Sequence, residues 1–181
     1  MHDALSQQIV RECPAPLVIV RRPDHYGTPL ATRHLLVPID GSLFSRYAAE
    51  FAFAYARAEE GHVTVLHIID ESRSMSGSLP MPDRRNARFV TPQRAAAVEA
   101  LLREEIHVAA DLYDMPFSVR ILASGAPAET IIEESASGFF DVLVLGAENK
   151  MLAQPLLFGQ GIADIVERAG CTTAVVVPHL D

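Results

Sequence analysis

The stretch from Val142 to Pro178 constrains the fold more than any other part of the chain. It opens as Val-Leu-Val-Leu-Gly-Ala-Glu-Asn-Lys (142–150), passes through Phe-Gly-Gln-Gly (158–161) into a helix pattern, and closes as Thr-Ala-Val-Val-Val-Pro (173–178). Short, wholly apolar strands separated by a helix belong to parallel sheets, whose strands are buried on both faces. The same stretch runs a strand into a Gly-containing loop and places a Gly pair where a helix opens. Backbone N–H groups and a helix N-terminus then converge on one point, which suits a phosphate.

The alternation extends back through the chain. His34 to Asp40 reads as a strand ended by Gly41-Ser42, and Ser42 is placed to cap the helix that follows. Tyr47, Phe51, Ala54 and Ala58 are spaced as that helix's apolar face, and Gly61 as its stop. His62 to Ile69 is a second strand. Residues 71 to 91 are rich in Ser, Gly, Pro, Met and Arg without a period, so they read as a long exposed loop. Pro92 to about Asp114 is an amphipathic helix, with Ala95, Val98, Leu101, Leu102, Ile106 and Ala109 on one face. Phe117–Leu122 is a third strand. Ala126–Ser137 is a helix with Ala128, Ile131, Ile132 and Ala136 facing inward. Phe140–Leu145 is a fourth strand, and Ala174–Val177 a fifth after a helix from about Gly159 to Arg168.

Right-handed crossovers leave few ways to join such elements. The expected fold is α/β: a doubly wound, five-stranded parallel sheet with helices on both faces. Ligands of such sheets sit at the C-terminal strand ends, where the strand order reverses. Asp40, Ile68 to Asp70, Ser124-Gly125 and Gly146 fall at those ends.

With 181 residues, the chain is long enough for one full core. A net charge of −8 argues against nucleic acid and anionic membrane as partners. No apolar run is long enough to span a bilayer, and Met1–Gln8 does not read as a signal peptide. Cys13 and Cys171 make no disulfide framework, so the expected setting is the reducing cytoplasm.

Residues 1–32 form an arm that carries an internal echo. Ile9-Val-Arg-Glu-Cys-Pro-Ala-Pro-Leu-Val-Ile-Val20 looks like Ile165-Val-Glu-Arg-Ala-Gly-Cys-Thr-Thr-Ala-Val-Val-Val177. Residues 16–20 are therefore expected to add a strand beside 174–177, within one chain or across a dimer, because an apolar edge needs cover. The plain alternative is a disordered arm. In an antiparallel pair, Cys13 and Cys171 would lie at opposite ends.

The residues from Arg33 to His179 resemble the universal stress protein domain. Leu-Leu-Val-Pro-Ile-Asp-Gly-Ser (35–42), Val-Thr-Val-Leu-His-Ile-Ile (63–69), Gly-Ala-Pro-Ala-Glu-Thr-Ile-Ile (125–132), Asp-Val-Leu-Val-Leu-Gly (141–146) and the final Val-Val-Val-Pro carry the resemblance. It implies a domain over 33–181, and the arm resembles the tail of a preceding copy. That pattern also fits a piece of a tandem or transporter-fused protein.

The ATP-binding branch of this family carries Gly-x2-Gly-x9-Gly-Ser/Thr after the fourth strand. Gly146 and Gly159 match the first and third glycines with the spacing kept. Asn149 stands at the second glycine, Gln160 at the small hydroxyl residue, and Glu148 at a position that is often Arg. Asn149 tolerates a positive φ, but its side chain crowds a phosphate. Gln160 is bulky, and Glu148 repels an anion. Gly161 loosens the helix start, and Lys150, the chain's only lysine, adds a nearby cation.

By the same resemblance, Asp40, preceded by Pro38 and Ile39, meets ribose hydroxyls, and Ile68 or Ile69 offers backbone groups to adenine. The structural alternative is that Asp40 caps the Gly41-Ser42 turn and the glycines serve packing. The implied cofactor is an adenine nucleotide, ATP or AMP, with no metal beyond nucleotide-bound Mg.

The seven histidines show no metal-ligand spacing, and His67 reads as a core residue. His25 and His179 lie near the two echoing strands. Ser42 and Ser45 lack a Gly-x-Ser-x-Gly elbow or a base. The Arg73, Arg84, Arg85 and Arg88 loop is either solvated surface or a lid.

The expected function is regulatory. A bound nucleotide orders the 71–91 loop and biases homodimerisation through the C-terminal edge strand. The competing reading is a nucleotide-independent interaction module or a detached regulatory domain of a transporter. A weak nucleotide hydrolase ranks last.

Overall fold

The computed structural model describes residues 17–21, 33–70, 90–148 and 160–178, leaving aside the side chains of residues 19, 21 and 160. The elements are β1 (Leu17–Arg21), β2 (His34–Pro38), α1 (Leu43–Ala58), β3 (His62–Asp70), α2 (Pro92–Leu112), β4 (Phe117–Ser124), α3 (Pro127–Ser135), β5 (Val142–Gly146), α4 (Gln160–Arg168) and β6 (Thr172–Val177). The sheet order is β1-β6-β5-β2-β3-β4. Five strands run parallel, as the alternation predicts, and β1 is antiparallel to β6.

β2, β5 and β6 are apolar on both faces because both faces are covered. On one face, Leu35, Val37, Val63, Val65, Val142, Val144, Ala174 and Val176 pack against α1 and α2. On the other, Leu36, Leu66, Leu143, Leu145, Val175 and Val177 pack against Ile132 of α3, Ile165 of α4 and Ala169 just past it. Arg168 joins those two helices through Glu129, with N–O distances of 2.6 and 2.8 Å.

Three helix details differ from the sequence reading. The sheet-facing side of α1 is Ser45, Ala48, Ala49, Ala52, Phe53 and Ala56, while Ala58 is exposed and Tyr47 and Phe51 are only partly buried. Small alanines around the buried Phe53 let the helix axis approach the sheet, and the Tyr47 and Phe51 rings are left at the flank. Leu101 in α2 is 66% exposed, and Leu102, Ile106 and Ala110 do the packing. Ala136, just past α3, is exposed instead of facing in.

The end of α1 also uses a different residue from the one expected. Glu60, not Gly61, takes the left-handed conformation with φ 53°. Gly61 N–H then closes the turn on the Ala56 carbonyl at 2.7 Å. A Cβ on Gly61 would meet the Arg33 carbonyl oxygen at 2.8 Å, so Gly61 makes room for the chain entering β2.

β6 is not the edge of the sheet. It pairs with β5 on one side and β1 on the other, so the edge assigned to homodimerisation is occupied within the chain. Most of the 71–91 loop, together with Cys13, His25 and His179, lies outside the described residues.

Candidate functional site

The strand order reverses between β2 and β5. From β2 the chain winds to β3 and β4, then returns to the far side through β5 and β6. Adjacent C-terminal ends at such a point leave a crevice that no crossover fills. Here β2 delivers Pro38, Ile39 and Asp40, and β5 delivers Gly146, Ala147 and Glu148.

Turn chemistry shapes the β2 side. Asp40 Oδ1 accepts a hydrogen bond from Ser42 N–H at 2.9 Å. Gly41 adopts φ +83°, a conformation that favours glycine. Ser42 caps α1 as its sequence position predicts, accepting from Ser45 N–H at 3.2 Å. Ser45 Oγ donates back to the Ser42 carbonyl at 2.9 Å. Burial pushes the Asp40 carboxyl upward, but hydrogen bonds from the hydroxyl and N–H of Ser42, with help from Ser45, outweigh it and hold the group below its ordinary value. Asp40 is therefore a carboxylate at neutral pH, turned toward solvent at the strand end.

β3 outruns β2. The last pair in their register is Pro38 with Leu66, and the Leu66 carbonyl accepts from Ile39 N–H at 2.8 Å. In a parallel strand the N–H and C=O of one residue point the same way, with a period of two. Ile68 therefore directs its backbone groups to the β2 side beyond the end of that strand, whereas Ile69 directs its groups to the other side. The register thus selects Ile68 over its neighbour.

His67 lies between Leu66 and Ile68; the sequence reads it as a core residue, and the structure gives it a polar role. It is partly buried, and its Nδ1 donates to the Ile39 carbonyl at 2.8 Å. That bond fixes the backbone just before Asp40. The available signal was a polar residue within an apolar strand, three positions before its end at Asp70.

On the β5 side, Gly146 has a clear structural role. A Cβ there would lie 2.0 Å from the Phe44 carbonyl oxygen and 2.8 Å from Ser45 N. The first turn of α1 rests directly on this glycine. Ala147 N–H continues the sheet onto the Val176 carbonyl at 2.9 Å, and Glu148 is exposed beyond it. Asn149, Lys150 and Gly159 lie outside the described residues, as does the side chain of Gln160; Gly161 is exposed in the first turn of α4.

The structure thus brings Asp40, Ile68 and Gly146–Glu148 to one end of the sheet. A groove of about 380 Å³ lies at the opposite strand ends, lined by His34, His62, Thr64, Ser118, Arg120, Phe139 and nearby residues. It shares no residue with the strand-end set.

A doubly wound parallel sheet with a turn-built carboxylate at its switch point defines the class: an open α/β domain of the kind that receives ligands at its strand ends. The model of the universal stress protein family matches residues 31–177, and the chain belongs to that family. No curated protein matches the sequence.

Several solved structures share the fold. A universal stress protein from Archaeoglobus fulgidus is 16% identical with a TM-score of 0.65, the alignment covering 98% of this chain and 56% of that one. A universal stress protein in complex with cAMP is 21% identical with a TM-score of 0.54, covering 83% of this chain and 99% of that one. A family protein from Arabidopsis thaliana, solved with AMP bound, is 14% identical with a TM-score of 0.52, covering 81% and 92%. At these identities the likeness is one of fold.

Proposed function

We propose that this chain is a regulatory domain that takes an adenine nucleotide at the β2, β3 and β5 strand ends, with residues 33–181 as the binding domain and 1–32 as an arm. The observation that carries this reading is the placement of Asp40: an ionised carboxylate at the switch point, opposite Gly146–Glu148. A carboxylate accepts several hydrogen bonds, so Asp40 can cap Ser42 and still receive a ribose hydroxyl. Pro38 and Ile39 set its position, and the Ile68 backbone would meet the adenine edge. Glu148, Asn149, Lys150, Gly159, Gln160 and Gly161 would border the phosphate.

Two proteins of the same fold were solved with cAMP and AMP, which supports the ligand class. The acid at position 148 and the missing small hydroxyl at 160 favour a ligand with little phosphate charge, AMP or a cyclic nucleotide before ATP. The role proposed is regulatory and not catalytic.

A second reading, an interaction module that needs no nucleotide, draws on two observations. Asp40 already caps a turn, and Gly146 already makes room for a helix. Calorimetric titration with ATP, ADP, AMP and cyclic AMP separates the two. The proposal expects saturable AMP or cyclic AMP binding, weakened at least tenfold by Asp40→Asn, which keeps an oxygen for Ser42 N–H. No heat with any nucleotide would refute it and leave the interaction module.

A further inference from the structure

The sheet face that packs on α3 and α4 changes character along its strands. Toward the C-terminal ends it is apolar: Leu36, Leu66, Ile68 and Leu122 share one core cluster with Ile132 and Ile165. Side chains on one face of a strand recur with a period of two. Counting back from those residues puts His34 of β2, His62 and Thr64 of β3, and Ser118 and Arg120 of β4 on the same face. Polar residues thus replace the apolar pattern toward the N-terminal ends, and they line the groove of about 380 Å³.

The walls of the groove are held in place. His62 Nε2 lies 3.0 Å from Ser118 Oγ, which ties β3 to β4. His34 Nδ1 donates to the Phe139 carbonyl at 3.2 Å, and Asp141 Oδ2 accepts from His34 N–H at 2.9 Å. Gly138 takes φ +80° in the turn after α3, and Phe139 beyond it is 69% exposed. Among the described residues it is the one aromatic ring left so far in solvent, and with Phe140 it makes the apolar wall.

Arg120 is the permanent charge on this lining, in a chain whose net charge is −8. Its Nη2 sits 2.9 and 3.2 Å from the two carboxylate oxygens of the buried Glu134. Glu134 therefore fixes the guanidinium through one nitrogen and leaves Nε and Nη1 for a second acceptor. Among the described residues no carboxylate lines the groove to take that place. One guanidinium fork matches one carboxylate, with the Ser118 and Thr64 hydroxyls as further donors. An exposed ring favours a flat apolar partner, stacked or edge-on. The volume is that of a small-molecule site.

We propose that this groove binds a small aromatic carboxylate, its carboxylate on Arg120 and its ring against Phe139. The site lies at the opposite strand ends from Asp40, and the proposal is independent of nucleotide binding.

The probe is naphthoate, followed by fluorescence polarisation on the full chain, which has no tryptophan to interfere. Saturable binding is expected. Arg120→Gln alone would strand the buried Glu134 charge, so the loss variant combines it with Glu134→Gln. That pair should weaken binding about tenfold with the circular dichroism spectrum unchanged. Glu134→Gln alone removes the competing charge and should bind at least as tightly as wild type. Phe139→Ala, at an exposed position, should weaken binding about threefold.

Absence of saturable binding overturns the proposal, as does wild-type affinity in the folded double variant. If that variant does not fold, Phe139→Ala carries the test, and unchanged affinity there overturns the proposal. Equal binding of naphthylmethanol, which keeps the ring and lacks the charge, overturns the contact with Arg120. Displacement by inorganic phosphate at matched concentration would make the groove a plain anion site and overturn the contact with Phe139.

Discussion

Replacing Gly146 with alanine tests whether this residue is a packing glycine. The added Cβ would lie 2.0 Å from the Phe44 carbonyl oxygen, 2.3 Å from its carbon and 2.8 Å from Ser45 N. All three are main-chain atoms in the first turn of α1, which cannot rotate away as a side-chain tip would. That turn is pinned by the Ser42 cap and by Asp40. The helix start must retreat by about 1 Å or more, which places the cost at the upper end of the overpacking range, about 3 kcal/mol. For a chain of this length that corresponds to a fall in Tm of roughly 6–12 °C. Thermal and urea unfolding followed by circular dichroism would measure it. Gly125→Ala is the internal control: it lies at the β4 strand end, and a Cβ there meets nothing within 4 Å. Gly146→Ala within about 0.5 kcal/mol of wild type, or an equal loss in Gly125→Ala, would refute the reasoning. If the loss appears, weaker nucleotide binding by a Gly146 variant reports a displaced helix and not a lost phosphate contact.

Three further outcomes follow from the same geometry. Thr173 is fully buried in β6 and its Oγ1 finds no hydrogen-bond partner among the described residues, so Thr173→Val should raise stability by about 1 kcal/mol in urea unfolding; a loss would show the hydroxyl is satisfied. The Asp40 carboxyl is held below its unfolded-state value of 3.8, so its contribution is present above that pH and lost as pH falls through the folded value. Wild type should lose its stability advantage over Asp40→Asn as pH drops below about 4, and a constant difference from neutral pH to pH ~3 would contradict this. Burial raises the Cys171 thiol to about 11, so it should react with iodoacetamide far more slowly in the native chain than in urea, and equal rates would count against its burial.

The fold was legible in the sequence because parallel strands buried on both faces leave an uninterrupted apolar signature. β2, β5 and β6 are of this type, and the alternation fixes their class before any contact is known. The pairing of the arm with β6 was legible too, through the echo around Leu17–Val20, but its direction within the sheet was not. Helix orientation was harder to read. Periodicity marks the larger residues Tyr47 and Phe51 on α1, yet close packing selects the alanines, and only the separation between helix and sheet decides between the two faces. Leu101 shows the same limit on α2, where a periodic apolar residue points to solvent.

The site was legible as a location and not as a mechanism. Asp40 and Gly146 are nearest the crevice because the sheet reverses there, and both also build it: one closes the turn into α1, and the other lets that helix settle on β5. The second role depends on the Phe44 carbonyl, far away in sequence, so no local pattern could disclose it. A motif residue at a switch point is therefore compatible with a ligand and with an empty scaffold alike. What separates them is a change that keeps the structural bond and removes only the charge. Asp40→Asn does that, since its amide oxygen can still accept from Ser42 N–H. A loss of nucleotide affinity in that variant much larger than its loss of urea stability at neutral pH would assign the carboxylate to the ligand; a matched loss of both would assign it to the turn.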